Sequence, residues 1–293
     1  MQAKGSRQMK SAGEKKYFTL LVLGLTAFML CSCSQQQNSK ATKSSNEVIV
    51  RADVTLKPTL LEVAQNYLYV SSMKIKFQFA PSASVISDPP ADSVDVYIFA
   101  NDHYLEPARE LNLVDSVGEV HLAYAVPGLI VPRFNRNLMI TSLAEMKDSK
   151  LRIGIADPQS DVLGAFTVEM LKRNNIYESI NHRLILTGPS ALDLTERVSK
   201  CEIDVGVAWT MSTNWNPESF DVVLPVPNEI PRVAAITAVR AASPADSAAA
   251  GKLMTYLKSD RCLNIFRKWG YLINESDIHM YAPAASIGGK PEF

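Results

Sequence analysis

From Val48 to Trp269 the chain alternates short apolar or β-branched runs with amphipathic stretches of about 10–15 residues, a rhythm that few architectures accept. Val48-Ile49-Val50 reads as a strand, and Leu56 to Val70 as a helix with apolar Leu60, Leu61, Val63, Ala64 and Leu68. Lys74 to Phe79 alternates with period two, the mark of a half-buried strand. Val94 to Phe99 is the next strand, with a helix near Tyr104 to Leu111. Strands follow at 151–155, 183–187, 204–209, 221–224 and 233–239, and helices at 163–174, 190–200, 244–257 and 260–269. Tyr67 and Tyr69 fall at apolar positions and are read as core. There is no internal repeat. Strands alternating with helices predict an α/β fold of mixed, mainly parallel sheets flanked by helices.

The region before Val48 is of another kind. Lys4, Arg7, Lys10, Lys15 and Lys16 precede an apolar run from Tyr17 to Leu30, followed by Cys31-Ser32-Cys33. That run is too short to cross a hydrocarbon core of about 30 Å as a relaxed helix, and it reads as a secretory leader. Leu30, Ser32 and Cys33 have the form of a bacterial lipobox, which predicts cleavage before Cys33 and lipidation there; Cys31 fits less well behind Met29 and Leu30. Polar Ser34 to Asn46 reads as a flexible tether. The expected product is a membrane-anchored lipoprotein facing the periplasm.

Of 30 basic and 30 acidic side chains, five basic ones and Glu14 lie in the leader; 25 and 29 remain, a net charge of −4. With no basic stripe, nucleic acid is excluded as an expected partner. No Gly-x-Ser-x-Gly, His-Glu-x-x-His or phosphate-loop motif is present, and Gly288-Gly289-Lys290 runs into Pro291. His103, His121, His182 and His279 lack metal-ligand spacing, so no metal, cofactor or catalytic residue is expected. Whether Cys201 and Cys262 pair is left open by their spacing.

What remains is a set of helix starts that carry hydroxyls or prolines. Thr55 stands before Leu56-Lys57-Pro58, Ser82-Ala83-Ser84 follows a strand, Asp157-Pro158 precedes the helix near Leu163, and Pro189-Ser190 precedes Ala191. Each alone is ordinary capping. Several facing one cleft would bind an anion through N–H groups without a basic side chain.

In order along the chain, these segments resemble the substrate-binding protein of molybdate ABC importers. Val48 to Leu56 resembles that family's first strand and turn, and Phe79-Ala80-Pro81-Ser82-Ala83-Ser84 its serine turn. Val94 to Asp102, Leu151 to Pro158 with Gly164 and Glu169 beyond, Val198 to Trp209, and Phe266 to Tyr271 are similar to later segments. The resemblance implies a two-lobed periplasmic-binding-protein fold of type II with the ligand cleft between lobes. The expected organisation is a leader (1–32), a lipidated tether (33–46), lobe 1 (47–123 and 232–275), lobe 2 (124–231) and a loosely held tail (276–293). Crossovers are expected at Ala125 to Gly128 and at Pro225 to Pro231.

The resemblance also implies ligand contacts from Thr55 and Ser82 hydroxyls, from backbone N–H groups near Leu163 and Ala191, and from Trp209, where the family has a tyrosine. Its ligand would be molybdate or tungstate, with an ABC permease as partner and a monomer as the working form. Asp53 and Asp161 depart from the family, whose turns are uncharged at these places. A carboxylate facing a dianion repels it by roughly 4 kcal/mol for unit charges about 4 Å apart at an effective dielectric near 20. These aspartates are read as possible additional contacts that accept a proton from a protonated oxyanion or coordinate its metal centre, or else as solvent-facing. The alternatives in function are a binding protein for phosphate or another protonated anion, an envelope enzyme on the same fold, and a scaffold lipoprotein. Asp88-Pro89-Pro90 should end the helix after the serine turn early.

Overall fold

A computed structural model describes residues 46–88, 90, 93–133, 140–148 and 150–292. The leader, Cys33 and the tether up to Ser45 lie outside the described residues. The chain begins with β1 (Glu47–Asp53), α1 (Lys57–Ser71), β2 (Lys74–Ala80), α2 (Ser84–Ser87), β3 (Val96–Phe99), α3 (Leu105–Glu110) and β4 (Val120–Ala125). Next come β5 (Pro127–Pro132), β6 (Ile153–Ile155), α4 (Val162–Arg173), α5 (Tyr177–Ile180), β7 (Leu184–Leu186), α6 (Ala191–Ser199), β8 (Val205–Trp209) and β9 (Phe220–Val223). The last elements are β10 (Arg232–Arg240), α7 (Ser247–Leu257), α8 (Asp260–Lys268), α9 (Glu275–Tyr281) and β11 (Ser286–Ile287).

These strands form two mixed sheets. In the first, β1 pairs in parallel with β2 and β3, with Val50 opposite both Phe77 and Val96. Strand β10 closes it antiparallel to β3 and β4, and β11 adds in parallel to the start of β10. The second runs β7-β6-β8-β5-β9, parallel at β6 and antiparallel at β5. The chain passes from the first sheet to the second through Val126 alone and returns between Val223 and Arg232. Val48, Val50 and Ala52 are fully buried on one face of β1 while Ile49 and Arg51 are buried on the other, as a strand covered by helices on both faces requires.

Helix α1 buries Thr59, Leu60, Val63 and Tyr67 and stops at Ser72, whose left-handed φ of 56° lets its N–H reach the Leu68 carbonyl. Tyr69 is not core: it is 85% exposed, because two residues of helix turn it about 200° from Tyr67. The helix after the serine turn is cut to four residues, with Asp88 extended before the prolines. Cys201 and Cys262 are both free thiols, one exposed and one buried.

The tail is held, not loose. Ile278 and Ala282 are buried against Val233 and Ala235 of β10. Beyond them Gly288 N–H donates to the Val233 carbonyl at 2.8 Å, and Gly289 N–H to Asp102 Oδ1 at 2.6 Å. Gly288 has φ +62°, and a Cβ there would lie 2.3 Å from Asp102 Oδ2, so only glycine permits this approach. Arg232 Nη1 donates to the Gly288 carbonyl at 2.7 Å while its other nitrogens pair with Glu169 at 2.8 and 3.0 Å. Proline and glycine content suggested a loose end; strand pairing and this buried arginine decide otherwise.

Candidate functional site

Residues at the carboxyl ends of the strands face one another between the sheets, the usual location of ligands in α/β folds. At the end of β1, Asp53 turns the chain: its Oδ1 accepts from Thr55 N–H at 2.8 Å and from the Thr55 hydroxyl. That turn starts a short 3-10 segment, Val54–Leu56, which leads into α1. Just past β2, Ser82 donates its hydroxyl to Asp53 Oδ2 in a short hydrogen bond.

The second sheet contributes a matching arrangement. Asp161 is the N-cap of α4, its Oδ1 accepting from Leu163 N–H at 2.7 Å. Its Oδ2 accepts from Ala191 N–H, the first residue of α6, at 2.9 Å. The start of α4 is pressed close to the loop before it, since a Cβ on Gly164 would lie 2.4 Å from the Ala156 carbonyl oxygen. Direct contacts join the two sides: Val162 N–H donates to Ser82 Oγ at 3.3 Å, and Ala83 N–H to the Ser160 carbonyl at 3.0 Å.

Thr55, Ser82, Leu163 and Ala191 are thus brought together, with Asp53 and Asp161 accepting from all four. Neither aspartate faces solvent; they are 0% and 1% exposed. Trp209 is buried at the end of β8, its ring edge-on to Phe166 of α4 with centroids 6.1 Å apart, within the main hydrophobic core.

Burial pushes the Asp53 carboxyl above the usual carboxylate range against the opposing pull of the Ser82 and Thr55 donors. Asp161 is pushed up to about 7, by burial first and by the charge of Asp53 second. No lysine, arginine or histidine is among the groups that shift either one. Two buried carboxyls without a cation cannot both ionise cheaply, so the pair retains a proton well into the neutral range.

Two tyrosines complete the surroundings. Burial and both aspartates keep the Tyr104 phenol protonated next to Ser82. Tyr271, likewise held protonated by burial, is near Asp53 and Thr59. The buried Tyr271 and Thr59 hydroxyls approach each other. Sequence reading missed both tyrosines as site residues. The signal for Tyr104 was its position just past the carboxyl end of β3; Tyr271 was visible only as the end of a helix motif. His103, packed on Tyr104, is pushed down to about 4 by burial, Lys290 and Arg232.

Among the described residues no group of three or more His, Cys, Asp or Glu is placed to hold a metal ion. No helix among them is long and apolar enough to cross a membrane.

Two sheets joined by short crossovers, with main-chain and hydroxyl donors converging between them, describe a protein that holds a small solute. Residues 48–272 match the family of bacterial extracellular solute-binding proteins, and the chain belongs to that family. It is a solute-binding protein and not an enzyme. The chain is similar to the molybdate-binding protein ModA of Rhodobacter capsulatus, 23% identical over 78% of this chain and 89% of that one. It is also similar to YvgL of Bacillus subtilis, a putative ABC transporter substrate-binding lipoprotein, 20% identical over 87% of this chain and 98% of that one. Its fold matches the periplasmic molybdate-binding protein of Azotobacter vinelandii with a TM-score of 0.66, at 15% identity over 78% of this chain and all of the other. The expected resemblance to molybdate-binding proteins and the expected fold class are both borne out.

Proposed function

We propose that this chain is the lipid-anchored substrate-binding component of an ABC importer, capturing a small tetrahedral oxyanion, molybdate or tungstate, between its two lobes. The observation that supports this is the convergence of the Thr55 and Ser82 hydroxyls with the Leu163 and Ala191 N–H groups on buried carboxylate oxygens. In that arrangement the two aspartates stand where anion oxygens would be. Neutral donors from both sheets suit an oxyanion that must later be released to a permease, since no fixed positive charge holds it. Lipidation at Cys33 would keep the protein at the membrane surface where that permease lies.

Calorimetric titration of the purified protein with molybdate, tungstate, sulfate and phosphate tests the reading. Thr55→Ala with Ser82→Ala removes two hydrogen bonds to a charged ligand, about 1.5–3 kcal/mol each, and should weaken binding by roughly 10²–10⁴-fold. Unchanged affinity in the double variant rejects this site. The burial of Asp53 and Asp161 favours a second reading, an anion such as hydrogen phosphate that carries its own proton.

A further inference from the structure

We propose that the carboxyl-terminal segment 286–292 is a clasp between the two lobes, with Arg232 as its hub, and that it sets how readily the cleft opens to admit and release solute. Only the two-lobed fold is needed for this role, whichever solute is bound.

The segment lies beyond residues 48–272, which match the solute-binding family, yet it is built into both sides of the cleft. On the first sheet, Ser286 N–H donates to the Pro231 carbonyl at 2.9 Å and Gly288 N–H to the Val233 carbonyl at 2.8 Å. Just past the carboxyl end of β3, Asp102 accepts from Gly289 N–H. Buried Asn101 donates its Nδ2 to the Gly289 carbonyl at 2.9 Å, while its Oδ1 accepts from Ala235 N–H at 3.0 Å. On the other side the partners belong to α4, which packs on β5 and β8. Arg173 Nη2 donates to the Glu292 carboxylate at 2.7 Å, and Glu169 accepts from Nε and Nη2 of Arg232 at 2.8 and 3.0 Å. The same guanidinium gives Nη1 to the Gly288 carbonyl at 2.7 Å and has Glu292 at 3.9 Å from Nη2.

One side chain thus joins three segments: the start of β10, helix α4 of the other lobe, and the tail. The cross-lobe contact is the Arg232–Glu169 pair, whose side chains are 6% and 1% exposed. A bidentate, charge-assisted pair is strong where water is kept out and contributes little where it is wet. The tail covers this pair. It also fixes Nη1, so the other two nitrogens stay aimed at Glu169 and less side-chain freedom is lost in closing the contact. Glu169 stands seven residues along α4 from Val162, roughly 10 Å at about 1.5 Å per residue. Holding Glu169 therefore holds the start of α4, where Val162 N–H donates to Ser82 Oγ at 3.3 Å and Ala83 N–H to the Ser160 carbonyl at 3.0 Å. Those two hydrogen bonds cross between the lobes and break when the lobes part, so their amides report opening.

Hydrogen exchange of the ligand-free protein, read at single amides by NMR, tests the clasp without any choice of solute. Two variants release the tail. A chain ending at Ala285 keeps Ile278 and Ala282, which are buried against β10. Gly288→Ala puts a Cβ 2.3 Å from Asp102 Oδ2 at a φ of +62°. Val50 in β1 and Val207 in β8, each fully buried within its own sheet, serve as references. The expected result in both variants is roughly tenfold faster exchange at Ala83 and Val162 relative to Val50 and Val207, the weight of about one charge-assisted hydrogen bond. Unchanged exchange at Ala83 and Val162 overturns the clasp. So does an equal factor at all four amides, which is the mark of a tail that supports only global stability. Should the shortened chain fail to fold, Gly288→Ala alone decides. Either negative result leaves the solute-binding reading untouched.

Discussion

Asp161→Asn should change how the stability of the ligand-free protein depends on pH. Asp161 is pushed up to about 7 in the folded protein, against an ordinary value near 4 once unfolded. Because the folded value is the higher one, the folded state binds the proton more tightly between these limits. Its contribution to stability is complete below about pH 4 and is lost as pH rises to about 7. Three pH units at 1.36 kcal/mol each give a loss of about 4 kcal/mol in the wild type that the neutral asparagine does not suffer. Asparagine has one acceptor oxygen, so either Leu163 N–H or Ala191 N–H loses its partner, costing about 1–3 kcal/mol at every pH. That offset is constant, and the slope is the signal. Carboxyls held low, Asp204 by Arg152 and Glu145 by the Thr141 N–H, slope the other way in both proteins and cancel in the difference. Urea unfolding of both proteins from about pH 4.5 to 8.5 should show the variant gaining up to about 4 kcal/mol on the wild type. Parallel profiles would refute the argument that a buried, unneutralised carboxyl occupies this site.

Three further outcomes follow from the packing. Gly164→Ala places a Cβ 2.4 Å from the Ala156 carbonyl, so the start of α4 must shift; chemical denaturation should register a loss of about 1–3 kcal/mol, and calorimetry a weaker ligand. Glu169→Ala leaves buried Arg232 with only the exposed Glu292 carboxylate, 3.9 Å away, and should cost about 3–5 kcal/mol by urea unfolding, whereas Arg173→Ala, an exposed partner of Glu292, should cost under about 1 kcal/mol. In thiol titration of the folded protein Cys201 should react and Cys262 should not, because Cys262 is buried and its thiol is pushed up to about 12; denaturant should expose it.

Hydrophobic period was enough to place most elements, since a strand covered on both faces, such as β1, must be apolar along its whole length and an amphipathic helix such as α1 must repeat with its turn. It failed where the partner decides. Strands β4 and β5 were not read as strands, because the pairing that forms them comes from β10 and from β8 and β9, far along the chain. Strand β11 is two residues long and exists only through its pairing with Arg232 and Val233. At the cleft, Thr55, Ser82, Leu163 and Ala191 stood out because capping and turn chemistry are local. The neighbours of Asp53 and Asp161 did not. An aspartate two residues before a helix start looks the same in sequence whether it faces water or another carboxylate.

What this sequence settled alone is therefore the local part: an α/β alternation and turns rich in donors at the strand ends. Tertiary structure alone decided that the tail is held by Asp102 and Arg232, that Trp209 belongs to the core, and that Tyr104 and Tyr271 adjoin the site. It also decided the chemistry of the two aspartates. A carboxyl's charge depends on its distance from water and from other charges, and those distances are set by segments separated by about a hundred residues of chain.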